Sequence, residues 1–513
     1  MTIRPILIIS LFLLIISCKS TQKPANVTGD DGMITLKFVQ LNDVYEIAPL
    51  SGGKYGGMAR VAHVVDSIRK GHPNTYLVLA GDFLNPSLLG TVKVDGERLR
   101  GKQMIEVMNA MNFDLVTFGN HEFDLDEEDL QKRLNESNFQ WLSSNVSKKT
   151  EAGNKPFSVA RDIGVLPIPS EYNLTVTDTD GTMATLGFYS VCLDSNPRDY
   201  VVYDDIYESA QNTYNKLKTN SDLIIGLTHV KVEDDIAIAQ MLKDVPLIMG
   251  GHEHNNMLVP EGNSVIAKAD ANAKTIYIHT LTFNKETKET SLDSKLFPID
   301  EKIASKPEVE AIVNRWNAVL ESEIKQVIPN PHEVIYYADP PLDGTDSASR
   351  GIQTNMGEII TAAMAASYGE EISAAIVNGG SIRIDDMIAG DVTSIDIFRV
   401  LPFGGMVLKV DMTGELLKKV LDFGKSKRGT GAYLQRYNIR EGSRGSWMID
   451  GQPLETGNRY YTIAISDFLL LGYDIPFLTA ENPGILKVYT PKEGEMAYDV
   501  RKAVILNLKS NQQ

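Results

Sequence analysis

The stretch Phe118-Gly119-Asn120-His121-Glu122-Phe123-Asp124 decides the fold. An apolar run, Leu115-Val116-Thr117-Phe118, leads into it, and an acidic helical pattern opens at Asp126. The order is a strand, a turn and a helix. Within five residues the turn carries an amide oxygen (Asn120), an imidazole (His121) and a carboxylate (Asp124). Hard oxygen donors and imidazole at a strand's carboxyl end suit a divalent metal and a phosphate-like substrate.

Outward from that turn the same grammar repeats. Thr35 to Leu41 closes on Asn42-Asp43, Thr75 to Ala80 on Gly81-Asp82, and Gln140 to Ser144 on Asn145. Leu223 to Leu227 closes on Thr228-His229, and Val245 to Met249 on Gly250-Gly251-His252-Glu253-His254. Helical patterns intervene at 57–69, 102–111 and 233–242. Strands alternating with helices predict an α/β architecture whose site gathers at the strands' carboxyl ends. The run Gly52-Gly53-Lys54-Tyr55-Gly56-Gly57 lacks the Gly-Lys-Ser/Thr ending of a phosphate loop and reads as a turn before a helix.

At 513 residues the chain suggests two or three domains. The expected division is a leader at 1–18, a polar tether at 19–33, an α/β domain at 34–300, a linking helix at 301–327 and a second α/β domain at 328–513. The helix is expected from Lys302 to Val327, with Val309, Ile312, Val313, Trp316, Val319 and Leu320 at helical spacing. An apolar fraction of 43% and a charged fraction of 23% are those of a folded globular protein. A net charge of −17 argues against nucleic-acid binding through a basic surface.

The leader has a positive start at Arg4 and an apolar run from Ile6 to Ile16, short for a membrane span. Ile15-Ile16-Ser17-Cys18 resembles a bacterial lipobox, so the expectation is a lipidated Cys18 anchoring the protein to a membrane face outside the cytoplasm; a plain cleaved signal is the alternative. The other cysteine, Cys192, lies in an apolar strand pattern and has no partner for a disulfide framework.

The polar residues that close the strands of the first domain are Asp43, Asp82, Asn120, His229, His252 and His254. Two carboxylates, one amide and three imidazoles can hold two divalent cations, with one carboxylate bridging. Paired metals roughly 3.5–4 Å apart clamp a phosphoryl group and generate hydroxide from water near neutral pH. Any single histidine has many ordinary roles. Only eight histidines exist, however, and four of them (His121, His229, His252 and His254) fall at these strand ends.

In order along the chain, Asn42-Asp43, Gly81-Asp82, Gly119-Asn120-His121-Glu122-Phe123-Asp124, Thr228-His229 and Gly251-His252-Glu253-His254 resemble the motifs of the calcineurin-like metallophosphoesterases. The second domain resembles the C-terminal domain of the 5′-nucleotidases, and the likeness covers about residues 34–505. It implies a two-sheet sandwich flanked by helices, joined by a helix to a second α/β domain. It also implies two divalent metals, with Mn, Zn, Mg, Co and Ca all open. Asp82 would bridge them, Asp43 and His254 would serve one, and Asn120, His229 and His252 the other. His121, paired with Asp124, would stabilise the transition state or protonate the leaving alkoxide; an imidazole oriented by a carboxylate is a common proton donor.

One position departs from the family's Asp-x-His, reading Asp43-Val44-Tyr45. A neutral phenol binds divalent ions poorly, so Tyr45 is expected to pack beside the site, with weaker metal affinity there.

In the second domain the resemblance assigns the substrate to Arg350, Asn378, Arg383, Phe403, Phe468 and Asp474. Arginine grips phosphate or carboxylate bidentately, and two phenyl rings can sandwich a nucleobase, although a lone phenylalanine is usually core. Tyr473 stands where the family has glycine, which bears on pocket width. The expected function is metal-dependent hydrolysis of extracytoplasmic nucleotides, chiefly nucleoside 5′-monophosphates. Alternatives are a 2′,3′-cyclic-nucleotide phosphodiesterase, a nucleotide-sugar or dinucleotide pyrophosphatase, and an inactive nucleotide-binding lipoprotein.

Overall fold

The computed structural model describes residues 31–195 and 198–510. The leader and Cys18 lie outside the described residues. The first lobe holds two six-stranded sheets face to face. One runs, in spatial order, Thr290–Pro298, Thr275–Asn284, Met33–Leu41, Thr75–Ala80, Leu115–Thr117 and Gln140–Leu142; its last four strands are parallel. The other runs Glu171–Thr177, Met183–Tyr189, Leu223–Thr228, Leu247–Gly250, Ser264–Lys268 and Met257–Glu261, with a parallel centre and antiparallel edges.

Period-two alternation sorts the apolar residues between two cores. Ile34, Leu36 and Phe38 point between the sheets and pack with Leu186, Phe188, Ile225, Leu227 and Met249. Phe38 and Phe188 meet edge to face at 5.9 Å, a geometry that adds roughly 0.5–1.5 kcal/mol beyond area burial. Val39 and Leu41 point the other way, into the core shared with the helices Met58–Gly71 and Lys102–Met111. The parallel strands thereby bring the ends of both sheets to one edge of the sandwich. Cys192 is buried just beyond the strand Met183–Tyr189, paired by a single bridge to His229.

The linking helix spans Pro307–Val327, starting later than the charged pattern at Lys302 suggests. Proline at the first helical position fixes that start, because its missing N–H has no intrahelical partner to lose. Its buried face (Val309, Val313, Trp316, Leu320, Ile324) covers the first lobe: Trp316 Nε1 donates to Glu106 at 2.9 Å, on the helix Lys102–Met111.

The second lobe is built on a five-stranded sheet ordered Leu434–Tyr437, Ala374–Asn378, Tyr460–Ser466, Val407–Thr413 and Ile485–Tyr489. Helices Asn355–Ala366 and Val500–Ser510 share a core with Ala375 and Val377, while Gly414–Ser426 packs on the opposite face with Ala374 and Ile376. Ala374–Asn378 and Tyr460–Ser466 are the sheet's parallel pair. Their carboxyl ends open side by side, which is where a ligand site forms in such sheets.

The segment 383–386 of the second lobe reaches into the first. Arg383 pairs with Asp124 at 2.8 Å, Asp386 with Lys274, and the Asp385 carbonyl accepts from His254 Nδ1.

Candidate active site

All six expected metal ligands lie at the sandwich edge, and three of them sit on strained backbone. Asp43 (φ 52°), Asp82 (φ 58°) and His252 (φ 87°) adopt the left-handed region that side-chain-bearing residues rarely occupy. Such strain persists only where the surroundings over-determine it, and it concentrates at functional sites. The surroundings here are glycines without room for more. A Cβ on Gly119 would stand 2.1 Å from Asp82 Oδ1, and one on Gly251 would stand 2.1 Å from the Ala80 carbonyl.

His229 Nδ1 donates to the Ala80 carbonyl at 2.7 Å, which directs Nε2 into the cluster. Nε2 is 3.1 Å from Asp82 Oδ2, 3.2 Å from Asn120 Oδ1 and 4.0 Å from Asp43 Oδ1. Three acceptor oxygens thus converge on that nitrogen. Burial opposes a charge on His229, but Asp82 and then Asp43 overcome it and lift the ring to about 9. Asp43 Oδ1 is fully buried and accepts no hydrogen bond. A divalent cation satisfies the same lone pairs, so this donor set fits one. Asp43, Asp82 and His229 have ligand atoms all within 4.8 Å of one another.

The remaining ligand candidates surround this trio. His252 donates its backbone N–H to Asp43 Oδ2 at 3.0 Å, and its ring stands edge-on to His229 at 5.5 Å. Burial, reinforced by the charge of His229, lowers His252 to about 4 and keeps it neutral, the form a metal needs. His254 Nε2 lies 3.4 Å from Asp43 Oδ1.

Tyr45 does more than pack beside the site. Its hydroxyl donates to Asp82 Oδ2 at 3.3 Å and lies 3.1 Å from His254 Nε2. Burial, then the charges of Asp82 and Asp43, raise its pKa well above 10, so it enters the cluster as a neutral phenol.

His121 Nδ1 meets Asp124 Oδ2 at 2.8 Å, and that oxygen also accepts from Asn85 at 2.7 Å and Arg383 at 2.8 Å. Burial disfavours an imidazolium, yet Asp124 and Asp82 outweigh it and raise His121 to about 10. The ring carries its proton at neutral pH.

Sequence reasoning missed Glu122. Its fully buried carboxylate accepts from the backbone N–H groups of Asp82 (2.9 Å), Phe83 (2.8 Å), Leu84 (3.0 Å) and Gly119 (2.6 Å). One side chain thereby pins the two loops carrying Asp82, Asn120 and His121. The signal was present: a glutamate three residues after the turn's glycine is the capping-box spacing. Asn42, whose amide donates to Asp43 Oδ2 at 2.8 Å, was also passed over.

In the second lobe Arg350, Asn378, Arg383, Phe403, Phe468 and Asp474 line one cavity of about 480 Å3. Asn378 donates to Asp474 at 2.8 Å, and Arg350 pairs with Asp346 at 2.8 Å. Phe403 and Phe468 are 57% and 39% exposed, so neither is a core residue. Tyr473 stands beside Phe468, ring centres 6.0 Å apart, and points largely to solvent.

Comparison with known proteins matches residues 36–256 to the calcineurin-like phosphoesterase family and residues 334–480 to the 5′-nucleotidase C-terminal domain. The human 5′-nucleotidase is 30% identical over 414 residues, covering 74% of this chain and 68% of that one. A trifunctional nucleotide phosphoesterase of Bacillus subtilis is 27% identical over 79% of this chain and 29% of its own length. The 5′-nucleotidase precursor of Thermus thermophilus shares the fold, with a TM-score of 0.66 at 21% identity over 93% of this chain and 97% of that one. The chain belongs to the 5′-nucleotidase family and is a phosphoric-ester hydrolase whose calcineurin-like lobe works with two divalent metals, Asp43, Asp82 and His229 being the candidate site.

Proposed function

We propose that the chain hydrolyses nucleoside 5′-monophosphates to nucleoside and phosphate. The observation that carries this reading is Arg383, which lines the second-lobe cavity and also donates to Asp124, the partner of His121. A nucleotide whose base occupies the cavity therefore directs its phosphate toward the metal ligands. Phe403 and Phe468 offer faces for the base, and Asp474, oriented by Asn378, offers acceptors to ribose hydroxyls. Arg350 and Arg383 meet the phosphate's charge.

Asp82 as the bridge, Asp43 with His254, and Asn120 with His229 and His252 would hold the two metals. Bound there, the metals supply charge that polarises phosphoryl oxygens and acidifies water. The chain's own contribution is positional and protonic. Asn120 directs an amide at the cluster, and Glu122 holds the loop that carries it. His121 keeps a proton, oriented by Asp124, and delivers it from Nε2 to the leaving 5′-oxygen.

The protein also acts outside the cytoplasm in this reading, anchored through Cys18. Its support is the leader's charged start, apolar run and Ile-Ser-Cys ending; among the described residues no helix is long and apolar enough to cross a membrane. Labelling with radioactive palmitate, lost in Cys18→Ser, tests it.

Phosphate release from AMP, UMP, 2′,3′-cyclic AMP, UDP-glucose and ATP, with Mn, Mg, Zn, Co or Ca restored to stripped protein, tests the activity. AMP or UMP should lead. A preference for the cyclic or pyrophosphate substrates would move the assignment to a phosphodiesterase or pyrophosphatase.

A further inference from the structure

His254 is gripped from two sides by one residue of the other lobe. Its Nδ1 donates to the Asp385 backbone carbonyl, and Asp385 Oδ2 lies 3.3 Å from its Nε2. Nε2 is also the atom facing Asp43 Oδ1 at 3.4 Å and the Tyr45 hydroxyl at 3.1 Å. Two carboxylates from different lobes thus converge on the nitrogen expected to ligate a metal. Asp43 Oδ1 is fully buried and accepts no hydrogen bond.

Asp385 is built to be there. Its backbone sits at φ 45°, in the left-handed region. Its Oδ1 is held by the Asp346 N–H at 2.7 Å, which orients Oδ2 toward His254. The Tyr45 hydroxyl stands at the same nitrogen and also meets Asp82 Oδ2 at 3.3 Å. A neutral phenol is a weak donor to a divalent ion, whereas a carboxylate oxygen is a strong one.

We propose that Asp385 Oδ2 is a metal ligand, joining Asp43 and His254 on the side of the centre where Tyr45 offers only a neutral phenol. The inference rests on the two-metal reading of the site and adds a ligand from the second lobe. It also gives metal binding a structural consequence. A cation held by Asp43, His254 and Asp385 cross-links the lobes, and so fixes the segment 383–386 that carries Arg383 between cavity and metal centre.

Metal titration of the full chain by calorimetry, with cobalt as the ion, tests this. Wild type should take two equivalents. In Asp385→Asn one equivalent should weaken by more than the roughly 10–100-fold that losing an outer partner of a ligand costs, with the other unchanged. At saturating cobalt the visible d–d spectrum of the weakened position should shift, because a carboxylate donor has been exchanged for a weaker one. Asp385→Ala serves as the second variant, and circular dichroism establishes that both are folded. Two equivalents of wild-type affinity in both variants would overturn the assignment. So would weaker binding with an unaltered cobalt spectrum, since Asp385 would then only orient His254. Failure of wild type to bind cobalt at all would instead remove the two-metal reading on which the proposal stands.

Discussion

The two halves of the site are built on opposite principles. In the first lobe the three ligand candidates whose atoms lie nearest one another are tied down before substrate arrives: Asp43 by Asn42 and His252, Asp82 by its strained backbone and the Glu122-held loop, His229 by the Ala80 carbonyl. In the second lobe Phe403, on the turn after helix Ser394–Val400, and Phe468, on the 3-10 turn after strand Tyr460–Ser466, stand in the open. The contrast follows from the forces involved. Charge stabilisation requires donors fixed in a dry environment, because reorganisation would consume the benefit. Stacking on a base tolerates adjustment, since every base presents a π-face.

The contrast can be broken from its rigid side first. Removing the carboxylate in Glu122→Ala strands four buried N–H donors, so stability should fall by at least about 3 kcal/mol in urea unfolding, and metal affinity should fall with it. An unchanged unfolding midpoint would mean the loops hold themselves. His121→Ala should lower kcat by about 10²–10⁴-fold while metal content, read by atomic emission, stays at the wild-type level. Loss of metal instead would place His121 among the ligands.

On the open side, Phe403→Ala and Phe468→Ala should each raise KM for AMP by roughly 5–150-fold, the equivalent of about 1–3 kcal/mol of stacking. Here kcat and the melting temperature should barely move, and a large stability loss would return these rings to the core. A smaller effect sharpens the link between the halves. Asp124 and Asp82 raise His121 to about 10, so its acid form persists to alkaline pH. Deleting the charge in Asp124→Asn removes an interaction that favours the imidazolium, and the alkaline limb of the kcat profile should move to lower pH. A limb that stays put would assign it to another group. Tyr473→Gly should change KM least, within about two-fold, because the ring faces solvent beside Phe468.

The chain order of strand, polar closing residue and helix was legible because it is local. Hydrophobic periodicity changes from two to 3.6 within a few residues, and the ligand candidates follow each apolar run directly. That pattern, with Asp43, Asp82, Asn120, His121 and the three later histidines at strand ends, determined the α/β class and where to look for chemistry. In the second lobe Arg383, Phe403 and Phe468 stood out only weakly by residue type, since a single phenylalanine is usually core, and the resemblance made them substrate candidates and added Arg350.

What only the tertiary structure decided is pairing across distance. Arg383 and Asp124 are separated by 259 residues, and His254 and Asp385 by 131. No periodicity encodes such a meeting, because it depends on how two separately formed cores are docked. Tyr45 shows the same limit within one lobe: its chemistry argued for a bystander, while packing turned its hydroxyl onto Asp82 and His254. Composition and spacing fix which groups are available at each strand end. The direction in which a buried side chain points is set by everything packed around it.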